Sequence, residues 1–427
     1  MTDPAAAVAD AGVEQLPHWK RHTTFFLTGQ FVSLLGSSLV QYAILWHLTL
    51  TTQSGLVLTL ATAFGFLPQA VMAVFGGVWA DRYNRKLLII AADSTIAAVT
   101  LVLAVMLLRG EDSLWPVFAV LAIRSLGAGV QQPAVNALLP QIVPADRLIK
   151  VNGINTTLQS SLMLLAPAVA AALYAGLGIQ AVLLVDVVTA VIGIALLLAV
   201  PVARLATTTA GEGYLADVRA GLSYVRAHPV VLRVLLLFAA VYFLCAPPAY
   251  LTPLMVARTF GSDVWLLTAN EIAFGAGMLA GGAVVALTGG RHDRVRLVLL
   301  SSAAFGATTI GMGLSGAVFG WPGIFWLFLG FILVCGVSIA YFSTASTTLF
   351  QEQVEPEMMG RVFSLNSIIW SLGMPVGMLL FGPLSDVVSV EWLLIGTGLA
   401  TLAATAIAAV GAPAAPAPEP ERSTAPA

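Results

Sequence analysis

Four ionisable residues stand where charge is scarce. Asp93, Arg124, Asp186 and Glu271 each interrupt a long apolar run, in a chain of 427 residues of which only 9% are charged. A charge at the centre of a bilayer costs at least about 2.5–3.5 kcal/mol, so each of them needs a partner or a task. Desolvation favours the neutral form of a carboxyl group, and a neighbouring cation favours its charged form. A carboxylate under both influences takes up or releases a proton according to the side on which it is exposed. Glu271, Asp186 and Asp93, in that order, are therefore candidates for carrying a proton. Arg124 is the candidate counter-charge, and Asp186 can meet it or face the same cavity.

Two further groups carry chemistry. The stretch GGVWADRYNRK, residues 76–86, places Asp81, Arg82, Arg85 and Lys86 within six positions, straight after Thr23–Ala80, which holds no Asp, Glu, Lys or Arg. Gln30, Ser33, Ser37 and Gln41 recur at three-to-four spacing and form one polar stripe along a helix. Gln131, Asn136, Asn155, Gln159, Asn270 and Asn366 add amides. Tyr42, Tyr242, Tyr341 and Trp370 add aromatic surface, and together these suit an amphipathic ligand.

The elements that must hold these residues are membrane helices. The chain is 59% hydrophobic, whereas soluble domains carry about a quarter of their residues as charges. Twelve apolar segments lie near 24–48, 55–80, 87–108, 114–139, 153–177, 180–201, 232–256, 264–288, 297–316, 321–348, 361–384 and 392–411. Each is long enough to cross about 30 Å of hydrocarbon as a helix. Lipid offers the backbone no hydrogen-bond partner, so the segments must be helical. The fold class is an all-α membrane protein of twelve transmembrane helices in two six-helix bundles.

Charge placement orients the chain. With the N-terminus in the cytoplasm, only Arg109 and Arg258 fall outside and Arg124 lies within a segment, while the other basic residues collect inside. That asymmetry is what positive-inside insertion produces. It predicts a multi-pass protein of the cytoplasmic membrane with both termini cytoplasmic. The predicted organisation is a tail over 1–22, a first bundle over 23–201, a cytoplasmic linker over 202–231, a second bundle over 232–411 and a disordered Pro/Ala-rich tail over 412–427. Within the linker, Leu215, Val218, Leu222 and Val225 at helical spacing predict an amphipathic helix lying on the membrane surface. A net charge of −2 argues against nucleic-acid binding. No nucleotide-binding loop, H-E-x-x-H or paired cysteine-ligand motif is present, and the five histidines are scattered, so neither an enzyme nor a metal site is expected.

GGVWADRYNRK fits G-x-x-x-D-R-x-x-R-K, the loop signature between the second and third helices of the major facilitator superfamily. IRSLGAGVQQPA, around Arg124, resembles that family's fourth-helix motif. LPQIVPADRLIKVNG and NEIAFGAGMLAGG look like stretches of its macrolide-efflux branch. Over about residues 20–410 the chain resembles that branch of proton-driven drug exporters. Three motifs depart: the fourth-helix motif lacks one residue, often Gln, between Arg and Gly; the fifth-helix Gly-Pro-x-x-Gly-Gly pattern reads Ala166-Pro167-Ala168-Val169-Ala170-Ala171; and in GGRHDRVR, where the loop signature should recur, Gly290 replaces the Asp. The resemblance implies a latch in which Gly77, Asp81, Arg82, Arg85 and Lys86 dock at the start of helix eleven, near Arg361. An acid is stabilised at a helix N-terminus by about 0.3–1 kcal/mol, which suits Asp81 to that role. Gly76 and Gly77 would let helices approach closely.

The expectation is a secondary transporter that exports amphipathic small molecules by proton antiport and acts as a monomer in the lipid bilayer. It needs no cofactor beyond the proton as coupling ion. The alternatives are a metabolite or siderophore exporter, an uptake symporter, or a membrane-embedded receptor or enzyme.

Overall fold

The computed structural model of the chain describes residues 18–111, 113–144, 147–202, 214–288, 294–317 and 323–410. Among them every regular element is helical. Eleven helices are long and apolar enough to cross a membrane. The twelfth crossing is hidden in a single 51-residue run, Leu148–Leu198, which is broken at Gly178 with φ 80° and ψ 176°. Glycine adopts that conformation without the steric penalty of a side chain. An unbroken helix of that length would reach about 75 Å. Instead Val151 and Val200, near its two ends, share one buried cluster with Phe26 and Ile89. The run therefore doubles back, and its arms are the fifth and sixth spans.

The first four spans are Trp19–Thr52, Gly55–Arg82, Arg85–Leu108 and Leu114–Ile142. The first extends well beyond the predicted 24–48. Spans eight to twelve are Val264–Thr288, Arg294–Ala317, Ile324–Gln353, Pro356–Leu384 and Val390–Val410. The seventh, Pro229–Thr259, widens into a π-helical turn over Pro247–Leu251. Adjacent prolines there remove two backbone donors, and a widened turn is one way a helix absorbs the loss. Short loops start helices cleanly. Asn84 caps the third span by accepting from Lys86 N at 3.0 Å.

The two halves repeat each other in packing. The second span packs on the fourth and the eighth on the tenth; likewise the third on the fourth and the ninth on the tenth. The contact glycines match too. A side chain on Gly76 of the second span would strike the backbone of Gly129 and Val130, and one on Gly281 of the eighth would strike the backbone of Val337. Lipid supplies no hydrophobic drive between helices, so close backbone approach is the main source of contact energy. Gly77, named with Gly76 above, faces open space.

The linker helix, Tyr214–Ala227, docks on the start of the eleventh span. A side chain on Gly221 would strike the carbonyl of Arg361, Val225 is fully buried, and the Tyr224 hydroxyl accepts from Glu355 N at 3.2 Å. An amphipathic helix needs only one apolar partner face, and a protein face serves as well as lipid. Residues 1–17 and 411–427, which hold most of the predicted tails, lie outside the described residues.

Candidate functional site

The intramembrane charges sort themselves by partner. Arg124 Nη1 lies 2.5 Å from Asp186 Oδ2. The same nitrogen donates to the Thr100 hydroxyl, and the Ser37 hydroxyl donates to Asp186 Oδ1 at 3.3 Å. One ion pair thus ties the first, third, fourth and sixth spans, and Asp186 is 1% exposed. Asp93, also buried, accepts from Gln131 Nε2 at 2.5 Å. Glu271 stands apart. It accepts from Asn270 Nδ2 at 3.2 Å, and among the described residues no cation is recorded against it.

A cavity of about 320 Å³ lies in the first bundle, and among its lining residues Tyr250 alone comes from the second. Seven amides line it: Gln30 and Gln41 from the first span, Gln69 from the second, Gln131, Gln132 and Asn136 from the fourth, and Gln159 from the fifth. Arg124, Ser37, Phe66 and Tyr250 also line it, and Phe66 meets Tyr250 edge to face across the bundles at 5.9 Å. An amide presents both donors and acceptors without charge, so such a wall can match many polar patterns. Gln69 and Gln132 were not among the sequence candidates; Gln132 stands one turn from Asn136, whereas Gln69 is the only amide of its helix.

Other candidates fall elsewhere. Ser33 turns to the sixth span, where a side chain on Gly193 would meet its Cβ at 3.1 Å, and does not line the cavity. Tyr242 is 3% exposed and packs on Phe238 with ring centroids 4.5 Å apart, so it belongs to the core of the second bundle. Tyr42 packs on Trp46. Asn155 lies half-buried one turn before Gln159, and Tyr341 is half-buried on the tenth span. Asn366 and Trp370 sit one turn apart on the eleventh span. The Asn366 Oδ1 is buried without a hydrogen-bond partner, and Trp370 is exposed.

The charged loop braces the first bundle from within. Arg85 donates to the carbonyls of Ala80 at 2.8 Å and Ala137 at 2.9 Å. Lys86 Nζ donates to those of Leu198 at 2.8 Å and Val200 at 2.7 Å. Cations at helix C-termini satisfy the terminal carbonyls and oppose the helix dipole. Arg361 Nη1 donates to the Met358 sulfur at 3.3 Å, and Arg82 is exposed. The side chain of Asp81 lies outside the described residues.

The bundles are joined instead at the opposite face, away from the termini. Asp386, just past the eleventh span, accepts from Gly55 N at 2.7 Å, Leu56 N at 2.8 Å and the Ser54 hydroxyl at 3.0 Å. It thereby caps the second span from the other bundle. Arg258, at the end of the seventh span, donates to Gln53 O at 2.5 Å, Ser385 O at 2.8 Å and Asp386 at 3.2 Å. Below this layer the Thr59 hydroxyl donates to Met378 O at 3.2 Å, and a side chain on Gly382 would collide with Thr59 Oγ1. Partial desolvation pushes the Asp386 carboxyl up. The bonds from Gly55, Leu56, Ser54 and Arg258 outweigh it and hold the group below its ordinary value. Sequence reasoning missed this junction. Its one signal was Arg258, one of two basic residues on the sparsely charged side.

Comparison with known proteins agrees with this architecture. The family model described as "Major Facilitator Superfamily" matches residues 26–378 and 252–427. Macrolide efflux protein A of Streptococcus pyogenes is 34% identical over 389 residues, covering 90% of this chain and 94% of that one. Macrolide efflux protein A of Enterococcus faecalis is 35% identical over 330 residues, covering 76% and 99%. Among solved structures, a bacterial homologue of the iron transporter ferroportin superposes with a TM-score of 0.69 at 16% identity, covering 91% of this chain and 98% of that one. Helical architecture, matched halves and relatives converge: this multi-pass membrane transporter, which is not an enzyme, belongs to the major facilitator superfamily, in the branch of the macrolide efflux proteins.

Proposed function

We propose that the chain exports amphipathic drugs of the macrolide kind from the cytoplasm by alternating access, exchanging substrate for protons. The observation that carries this reading is the amide-lined cavity of the first bundle, with Tyr250 of the second bundle against it and the bundles joined on one face by Asp386 and Arg258. The basic residues concentrate on the face of the termini, which supports a cytoplasmic assignment for that face. The joined face is then external, and joining it is one half of an alternating cycle. At about 320 Å³ the cavity lies at the low end of ligand pockets, which run to about 1,000 Å³. A large substrate therefore requires the bundles to part further. Glu271, with no cation recorded against it among the described residues, is the carboxylate best placed to exchange a proton.

Proteoliposomes containing the purified chain test this. Accumulation of a labelled macrolide against its gradient should require a pH gradient and stop when a protonophore collapses it. Uphill movement of a siderophore but not of a macrolide would favour the metabolite-exporter reading. Uphill movement independent of the pH gradient would sink proton antiport.

A further inference from the structure

A second cavity, of about 830 Å³, opens between the first and fifth spans at the face that carries the termini. Its chemistry is graded along its depth. At the rim stand Lys20, Arg147 and Lys150, with Trp19 beside them, and the Lys20 ammonium lies 5.9 Å from the centre of the Trp19 ring. One turn deeper come the exposed hydroxyl residues Thr24 and Thr28. The floor is apolar, built from Leu27 and Phe31 of the first span and Val151, Ile154 and Leu158 of the fifth. Among the described residues none that lines the cavity is acidic.

Insertion topology accounts for basic residues at this face, but not for an apolar trough beneath three of them. Cation, then hydroxyl, then hydrocarbon is the order in which a phospholipid presents phosphate, ester and acyl chain to the protein. Tryptophan at the rim suits the same headgroup layer. Basic pockets between membrane helices on the cytoplasmic side bind anionic headgroups. We propose that this cavity is a binding site for an anionic phospholipid. The phosphate is held among Lys20, Arg147 and Lys150, and the start of one acyl chain lies along Phe31 and Leu158. The lipid would clasp the first span to the segment that links the fourth and fifth. Each basic residue near an anionic lipid contributes a preference of about a factor of five, so three amount to roughly a hundredfold over a zwitterionic headgroup.

Native mass spectrometry of the purified full chain, titrated with phosphatidylglycerol or with phosphatidylethanolamine of the same acyl chains, reads this preference. Wild type should retain phosphatidylglycerol roughly a hundredfold more tightly. The triple variant Lys20→Gln, Arg147→Gln, Lys150→Gln should lose most of that preference. Thr28→Trp, which fills the trough and leaves every charge in place, should lose it too. Arg219→Gln with Arg226→Gln, on the linker helix, should leave it unchanged. Equal retention of both lipids by wild type would overturn the proposal. So would full preference in Thr28→Trp, or an equal loss in the linker variant, since either would reduce the effect to diffuse surface charge.

Discussion

Asp386 and Gly55 meet across the two halves of the protein, carboxylate to backbone N–H at 2.7 Å. The residue that caps the second helix from outside its own bundle is thus 331 positions away in the chain. A cap made in this way exists only while the two bundles are together on that face, so its free energy belongs to the closed conformation and not to folding.

Asp386→Ala should shift the balance towards molecules open on that face. Loss of a helix N-cap costs about 0.5–2 kcal/mol, a change of roughly two- to thirtyfold in the ratio of closed to open. Double electron–electron resonance between labels at Thr51 and Val387 should show the longer distance gaining population. An unchanged distribution would mean that apolar packing alone closes the face.

The same carboxylate makes closure sensitive to acid. Its proton affinity is held below the ordinary value in the closed form, so opening raises its affinity for protons. Closure is therefore at full strength above the ordinary carboxylate range and is lost as pH falls through about 4 and below. The Thr51–Val387 distance should lengthen over that window in wild type and lose this dependence in Asp386→Asn.

Gly382→Ala places a methyl group against Thr59 Oγ1 and within 2.9 Å of Gly55 O. Both are fixed by the helix contact, so the methyl acts as a wedge. Transport should fall at least tenfold with expression near normal. Adding Thr59→Ala should restore part of it, because one of the two collisions is removed. No restoration would place the defect elsewhere.

Asp186 and Glu271 should behave differently when neutralised. Asp186→Asn strands Arg124 in the bilayer, and breaking a buried pair costs about 3–5 kcal/mol. Expression and thermal stability should fall, and Asp186→Leu with Arg124→Leu should recover more stability than either change alone. Glu271→Gln strands no recorded cation, and the amide oxygen can still accept from Asn270. It should keep exchange of labelled for unlabelled substrate and lose uphill transport driven by a pH gradient. Retention of both activities would remove Glu271 from proton coupling.

The helices and the intramembrane charges were legible because hydrocarbon imposes a simple rule of length and a steep penalty on charge. The facing of individual polar residues was not. Ser33 and Ser37 lie one turn apart on the same stripe, yet one packs against the sixth span and the other lines the cavity and bonds Asp186. A hydroxyl in a membrane helix reaches its own backbone carbonyl four residues back, as Thr49 does at 2.7 Å, so polarity alone does not mark a cavity wall. The Arg124–Asp186 pair was suggested by the scarcity of charge. Asp386 carried no such signal, because an acid in a short loop looks solvated until the partner bundle is in place. Gly77 and Gly76 were indistinguishable as letters, and only the position of the fourth span separates them.

Gly178 decides a matter of parity. Counted by helix continuity alone, the described residues hold eleven apolar rods, and an odd number of crossings would leave the two ends on opposite sides of the membrane. The single left-handed residue in Leu148–Leu198 makes the number even and returns both ends to one side. A turn this short offers no loop in which to insert an epitope or a protease site, so reporters placed there would disturb the crossing they were meant to count. A β-branched residue at 178 opposes that backbone conformation. Its effect would extend past local strain to the sidedness of everything that follows, which makes this one glycine a register mark for the whole second half of the molecule.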